Sequence, residues 1–513
     1  MNVPGPRLNR LTLAFVACAA ACVPRGDPPA GRHIVADRLS TPVGFVPSNG
    51  DGVTRVLVTR PSQSGLGADL SVVMLDATGG PPAELLLATN VTTDFTLPAS
   101  IYTNCGGTDA RGRLFLRISQ IPYAPAALSR IDPLTGDRFD LGAADSCLLS
   151  QSGDRLLAMT NRTATLYDAN DQASPLDWAT GAFAGEDLCY VTSQQQVMRL
   201  SPDAPPQLLA SGVTDLSVMV TDTGPALLLA RSTQDPLFQD HSLLDLTTGR
   251  ETALPFPERA QFSLSPDGRW FAAVSYESER AAFIDWKTGD QEPFTVLPSA
   301  ASLWSWRPGH DEFWTGTIGG SISMRAPGGR SAEYALEVTT LQDQGMFPSM
   351  FTPDGAFLFS VSTPADQYTP QVGSADDPTG PTFAFPQGTT FGYWNLADGR
   401  LLIPTFTEMP ERTNAYVLDP TNGDTRVMGE LGQVLAVGRS RLLVNQHLVQ
   451  HEGDLTVFDL VSGQPTVLAP EFASRAVVES VAGDDMAPGA PLAFGFQARF
   501  PSPYDGVWLT TVP

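Results

Sequence analysis

Short apolar runs separated by turn chemistry dominate the chain, most clearly over residues 261–289, QFSLSPDGRWFAAVSYESERAAFIDWKTG. Ser265-Pro266-Asp267-Gly268 joins a proline of fixed φ, an aspartate able to bond the following backbone and a glycine free to take positive φ, so two strands meet there in a hairpin. Trp270 to Ser275 and Ala281 to Trp286 are apolar, β-favouring runs, and the second stops at Lys287-Thr288-Gly289-Asp290. The pattern predicts three successive antiparallel strands.

Both turns recur. The first returns as Thr352-Pro353-Asp354-Gly355, Gln151-Ser152-Gly153-Asp154 and Asp109-Ala110-Arg111-Gly112, each ahead of an apolar run. The second returns from Asp76, Asp132, Asp245, Asp285, Asn395, Asp419 and Asp459, with weaker copies from Asp168, Ser201 and Ala326. A spacing of about 40 residues with three or four strands per unit is that of a propeller blade. A lone four-stranded blade cannot cover both its faces, whereas stacking blades buries each face on the next. The expectation is an all-β chain forming a single seven- or eight-bladed β-propeller of four-stranded antiparallel blades. Asn395 and Asp419 are read as one elaborated blade, and segments 37–60 and 476–513 as completing one blade between the two termini. Trp304 and Trp306, two apart on one strand, share a face and are read as blade-interface core.

The S-P-D-G-R-W turn at Ser265 and the D-W-K-T-G turn at Asp285 resemble the WD40-like (PD40-type) repeat of the periplasmic TolB family. The resemblance spans 44–470 as architecture, but only 261–290 and, less well, 345–362 as sequence. It implies a propeller. The separate N-terminal α/β domain of TolB has no room between Cys22 and the first strands, so the family's role in envelope integrity does not carry over.

Arg7 and Arg10 precede an almost wholly apolar or small run from Leu11 to Ala21, which reads as a signal peptide over 1–21. Ala19-Ala20-Ala21-Cys22 resembles the lipobox of bacterial lipoproteins, so Cys22 is the expected lipidation site. Cys18 after Phe15-Val16-Ala17 is a poorer lipobox, and an ordinary secretory signal with an incidental cysteine is the alternative. Residues 22–36 read as a flexible tether and 37–513 as the propeller. Val23 rather than Asp after the cysteine resembles outer-membrane sorting, so the expected location is the bacterial cell envelope, facing the periplasm or the cell surface. The membrane is then touched only through the lipid.

Composition narrows function rather than stating it. With 31 basic against 55 acidic residues the formal charge is −24, which excludes nucleic-acid binding through a basic face. No G-x-S-x-G elbow, C-x-x-C-H, Walker A loop or G-x-G-x-x-G is present. His447 and His451 have helical metal spacing but lie in strand-like sequence, and the acidic pairs Asp376-Asp377 and Asp484-Asp485 lack the alternating calcium-loop pattern. Accordingly no catalytic, cofactor or metal residue is assigned. Residues 363–390, rich in Pro, Gly, Thr and Asp, read as a loop insertion in one blade, a candidate binding loop bearing Tyr368, Asp376, Asp377, Phe383 and Phe385. Cys105, Cys147 and Cys189 are read as three buried thiols, with a disulfide between two of them as the alternative. The functional expectation is a non-enzymatic scaffold binding a protein, peptide or glycan. The alternative is a propeller lyase or hydrolase acting in the central channel.

Overall fold

The computed structural model describes residues 29–513 apart from 38, 47–49, 63–67, 77–79, 92–110, 119–126, 145, 161–162, 235–237, 257–259, 276–279, 296–301, 318–321, 335–349, 363–368, 386–392, 397, 407–412, 439, 450–451, 474–479, 483–485 and 497–504. Every regular element among them is a β-strand. The chain divides into two compact units, one within Met1–Thr89, Thr407–Asn414 and Met428–Pro513, the other within Asn90–Phe406 and Ala415–Val427.

The larger unit is a run of antiparallel blades in strict chain order. Blade 2 holds Leu114–Ile118, Ala127–Ile131 and Arg138–Ala143; blade 3 runs from Ser146–Leu149 to Ala173–Leu176, and blade 4 from Thr180–Ala184 to Gln207–Ser211. Blade 5 spans Asp215–Thr221 to Glu251–Leu254, blade 6 Gln261–Leu264 to Gln291–Thr295, and blade 7 Ser302–Trp306 to Ser331–Tyr334. Blade 8 holds Phe357–Ser362, Thr369–Ser374 and Thr382–Ala384, with Phe351 bridging Leu358 where its first strand would lie. Blade 9 begins at Trp394–Asn395 and ends where Thr425–Val437 starts.

Period-two alternation explains how the blades stack. In Trp270–Ser275, Phe271 and Ala273 pack with Leu243 and Leu254 of blade 5. Ala272 and Val274, pointing the other way, pack with Trp306 and Phe313 of blade 7. Asp187–Val191 repeats the device, giving Leu188 and Tyr190 to Leu157 and Leu166 of blade 3 and Cys189 and Val191 to Leu227 and Leu229 of blade 5. Further clusters join blade 2 to 3, 5 to 6, 7 to 8 and 8 to 9. Trp306 is buried in one such interface and Trp304 packs against it, as their shared face requires.

In the smaller unit the last blade, blade 11, takes three strands from the C-terminus, Ser480–Ala482, Pro491–Phe496 and Gly506–Thr511, and its fourth from Arg32–Val35. His33 stacks on Trp508 at 4.7 Å across that pairing. Blade 11 packs on blade 10 (the end of Thr425–Val437 through Pro465–Ala473) by Leu492 and Phe494. Ala493 and Val507 pack on Val56, Val58 and Val73 of blade 1, which runs from Thr41–Phe45 to Ala83–Val91.

Among the described residues the two units together hold eleven blades, not the seven or eight expected. All three weak turn copies belong to blades of their own: those from Asp168, Ser201 and Ala326 join the last two strands of blades 3, 4 and 7. Asn395 and Asp419 do share a blade, but Asn395 enters the turn between its first two strands, not its last two. Two boundaries also move. The fourth strand of blade 11 lies at Arg32–Val35, inside the stretch read as tether, and segment 37–60 belongs to blade 1. Within 363–390, the stretch read as an insertion, the described residues Thr369–Ser374 and Thr382–Ala384 are ordinary strands of blade 8.

Two turn types hold this register. Between third and fourth strands an aspartate caps the turn: Asp245 Oδ1 accepts the N–H of Thr247 and Thr248, while Gly249, at φ 71°, donates to the Asp245 carbonyl at 2.8 Å. Asp285 with Gly289 and Asp459 with Gly463 repeat it. Between first and second strands Ser265 Oγ accepts the Trp270 N–H at 2.8 Å, and Gly268 takes φ 75°. A Cβ on Gly268 would stand 2.4 Å from the Asp222 nitrogen of blade 5, whereas one on Gly309, at φ 72°, would meet nothing within 4 Å.

Gly268→Ala is therefore expected to lower the apparent melting temperature well beyond Gly309→Ala, which bears only the left-handed cost of about 1 kcal/mol; equal losses in a thermal melt would refute the close approach. A second expectation concerns His241, buried in blade 5 against the Phe262 ring at 4.6 Å. Burial pushes its pKa down, against the Phe256 carbonyl and Asp240, which favour the charged form. Its stabilisation is full above the unfolded pKa of about 6.5 and is lost as pH falls through the lower folded value. The drop in melting temperature from pH 7 to pH 5 should shrink in His241→Gln, and an unchanged slope would count against this account.

Candidate functional site

In the larger unit the first strands of neighbouring blades approach one another, blade 3 with 4, 4 with 5, and 6 with 7. These inner strands read SCLL, TGAFA, DLSVMVT, QFSL, SLWSW and WN, and Asp215 is their one ionisable residue. Charge gathers instead in the turns that follow them. Seven consecutive blades, 3 to 9, each carry an acid there: Asp154, Glu186, Asp222, Asp267, Asp311, Asp354 and Asp398.

Much of this charge is engaged in joining turns. Glu186 accepts from the Ser152 N–H at 2.6 Å and its hydroxyl at 2.8 Å, which holds its carboxyl below the usual range against the opposing effect of burial. The buried Arg155 donates to the Glu186 and Leu200 carbonyls, both at 2.8 Å, tying blade 3 to blade 4. Lys287 of blade 6 is ion-paired with Asp222 of blade 5. Arg269 bonds Asp285 at 2.8 Å, and Trp286 Nε1 donates to the Gly268 carbonyl at 3.0 Å.

The densest group spans the turns of blades 6, 7 and 8. Arg307, with only 4% of its side chain exposed, donates from Nε to the Gly355 carbonyl at 2.8 Å and meets Glu312 at 3.2 Å and Asp376 at 2.6 Å. Arg330 reaches the other Glu312 oxygen at 2.8 Å. The Arg307 guanidinium holds the Asp376 carboxyl low. Asp311 shows the opposite shift: desolvation and the adjacent Asp267, to which it is hydrogen-bonded, raise its pKa, with Arg269 and His310 opposing. Two neighbouring carboxylates of which one resists ionisation are the arrangement that can hold and release a proton. Among the described residues no group of three or more His, Cys, Asp or Glu side chains is placed to hold a metal ion, and no helix is long and apolar enough to cross a membrane.

The residues singled out from the sequence separate. Asp376 and Asp377 lie in the turn between the third and fourth strands of blade 8, Asp376 on Arg307 and Asp377 closing its own turn through the Gly380 N–H. Phe385 is buried against Leu401 and Ile403 of blade 9, and Phe383 packs beside it. A Cβ on Gly423 of blade 9 would stand 2.2 Å from the Phe383 ring. Those two rings are blade-interface core, not parts of a projecting loop. Tyr368, Cys22, Cys105, Asp484, Asp485 and His451 lie outside the described residues. His447 sits on the strand Arg441–Val449, so the four-residue spacing has no helix to act on. Reading three buried thiols was wrong: Cys147 is disulfide-bonded and Cys189 is a free, buried thiol. The sequence reading missed Arg307, Glu312 and Arg330; their signal was the degenerate turn Arg307-Pro308-Gly309-His310 ahead of the apolar Phe313–Thr317.

No family model matches the sequence, and no curated protein matches it. Solved structures do. Porphyromonas gingivalis dipeptidyl peptidase 4 is 11% identical with a TM-score of 0.37, over 91% of this chain and 67% of that one. The β-propeller domain of the Trilobed protease from Pyrococcus furiosus is 10% identical with a TM-score of 0.28, over 61% and 98%. That of Myceliophteria thermophila Cps50 (Swd1) is 13% identical with a TM-score of 0.27, over 59% and 97%. At such identities and TM-scores these likenesses add nothing to what the blades themselves show.

The Arg307 cluster predicts unequal costs. Arg307→Met strands Glu312 with one exposed partner and should cost about 3–5 kcal/mol, as removal of one member of a buried ion pair does. Asp376→Asn, at a side chain 78% exposed, should cost under about 1 kcal/mol. Thermal melts of both variants check the ordering, and a reversed order would show that Arg307 is not the clamp.

Proposed function

We propose that this chain is a bacterial cell-envelope lipoprotein, lipidated at Cys22 after loss of residues 1–21, whose β-propeller is a non-enzymatic scaffold binding a protein, peptide or glycan. The observation that carries the scaffold reading is the division of labour in the larger unit. Its inner strands are built of apolar and uncharged polar residues around Asp215, while much of the turn charge is engaged in fastening blade to blade. The S-P-D-G-R-W and D-W-K-T-G turns of blade 6 support TolB-like repeats. The disulfide at Cys147 supports export to an oxidising compartment, since such bonds are rare in the cytosol.

One observation favours a second reading, a propeller lyase or hydrolase acting in the central channel. Asp311, raised beside Asp267, has the character of an acid–base pair.

The test places a photo-cross-linking residue at exposed Asp377 and, as control, at exposed Phe139 on the last strand of blade 2, in the membrane-anchored protein. The scaffold reading expects one reproducible adduct from Asp377 and none from Phe139. No adduct from Asp377, together with turnover of any polysaccharide or peptide that disappears in Asp311→Asn and Asp267→Asn, would replace it with the enzyme. Intact mass tests the anchor: a diacylglyceryl-modified Cys22 is expected, and a chain cut elsewhere without lipid would remove it.

A further inference from the structure

One short segment fastens three blades of the smaller unit. Arg32–Val35 is the outermost strand of blade 11, paired on one side only. The N–H of Ala30, just before it, donates to the Leu468 carbonyl of blade 10 at 2.5 Å, and the Arg32 guanidinium donates to the Gly80 carbonyl of blade 1. Within blade 11 the His33 ring lies on Trp508 at 4.7 Å with the planes 8° apart. His33 Nε2, 3.1 Å from the Asp505 carbonyl, is the N–H that donates there, since a carbonyl only accepts. Ile34 and Val35 are the buried side chains of the strand, and they pack with Val56, Val58 and Val73 of blade 1.

We infer that residues 30–35 are a releasable strap, a segment that leaves and rejoins as a unit while the rest of blade 11 stays folded. The imbalance across Gly506–Thr511 carries this. On one side Pro491–Phe496 pairs with it residue by residue; on the other Arg32, His33 and Val35 pair with it, and a bulge interrupts them. Docking also confines the backbone. Gly31 at φ 113° and Gly506 at φ 130° each lie where a Cβ would overlap a carbonyl, that of Leu509 and that of Val35. Release frees both, and glycine regains more backbone freedom than any other residue. What holds the remainder does not pass through the strap: Leu492 and Phe494 keep their packing on blade 10, and Ala493 and Val507 theirs on blade 1. The Asp37 turn, whose carbonyl accepts the Ser40 N–H at 3.0 Å and whose carboxylate accepts that of Leu39 at 3.1 Å, is the hinge between strap and blade 1. Release bares the outer edge of Gly506–Thr511, a row of unpaired N–H and C=O groups, and unties blade 11 from Leu468 and Gly80 at the same time. The strap thus switches the unit between a closed and an open-edged form.

Hydrogen exchange of the full chain, read at single residues and corrected for intrinsic rates, tests this. The amides joining Arg32–Val35 to Gly506–Thr511 should share one rate, at least about tenfold faster than those joining Gly506–Thr511 to Pro491–Phe496, because local opening exposes only the first set. Gly31→Ala should speed the first set a further fivefold or more, roughly the left-handed cost of a side chain there, and leave the second set and Trp270–Ser275 of blade 6 unchanged. One common rate for both sets in the wild-type chain would show that blade 11 opens as a whole and would overturn the strap. So would a Gly31→Ala chain in which Pro491–Phe496 quickens as much as Arg32–Val35. The wild-type comparison decides alone where that variant does not fold.

Discussion

Burial of the blades' middle strands on both faces is the constraint from which the rest follows. A strand such as Trp270–Ser275 has no solvent face: odd positions go to blade 5 and even positions to blade 7. Fully burying a Phe or Leu contributes about 1.5–3 kcal/mol, and each blade collects several such terms on each side. A slip of one residue would exchange the two sets, placing Phe271 where Ala272 fits. Register is therefore not a local matter in this fold, and the turns exist to hold it.

That requirement gives the turn residues their form. In outer turns such as those of Asp245 and Asp459 the aspartate is spent on the N–H groups two and three positions on, and a glycine with φ near 70° closes the ring. The inner turns add a second duty, because they abut the preceding blade closely enough that Gly268 and Gly355 have no space for a side chain. Arg155 and Arg307 extend the same work by donating to carbonyl groups of the next blade, which sequence alone does not distinguish from solvated arginines.

What was legible in the sequence was what is local. The S-P-D-G and D-x-x-T-G turns announce themselves because their hydrogen bonds close within five residues, and they fixed strand type, blade period and all-β class. The blade number was misjudged because degenerate turns such as Gly185-Glu186 and Arg307-Pro308-Gly309 keep the geometry with other side chains. Arg32–Val35 was taken for tether because its pairing partner lies at Gly506–Thr511, and four residues carry no period of their own. The candidate loop failed for a related reason. Thr369–Ser374 carries Pro370 and Gly373, poor strand formers, and Thr382–Ala384 is only three residues long; the neighbouring blade holds both in place through Val372 and Phe385.

The same economy bears on function. An acidic residue recurs in seven successive inner turns, yet repetition here is first a property of the turn, since aspartate is the side chain that bonds the backbone two residues on. Asp267 and Asp354 do this, each accepting an N–H and a hydroxyl from its own turn. Asp311 departs from the rule: its carboxyl is raised by desolvation and by Asp267. A residue that breaks the local pattern while its neighbours keep it is where structure and function part company. The Asp267–Asp311 pair is thus where the scaffold and the enzyme readings make contact with the same two side chains.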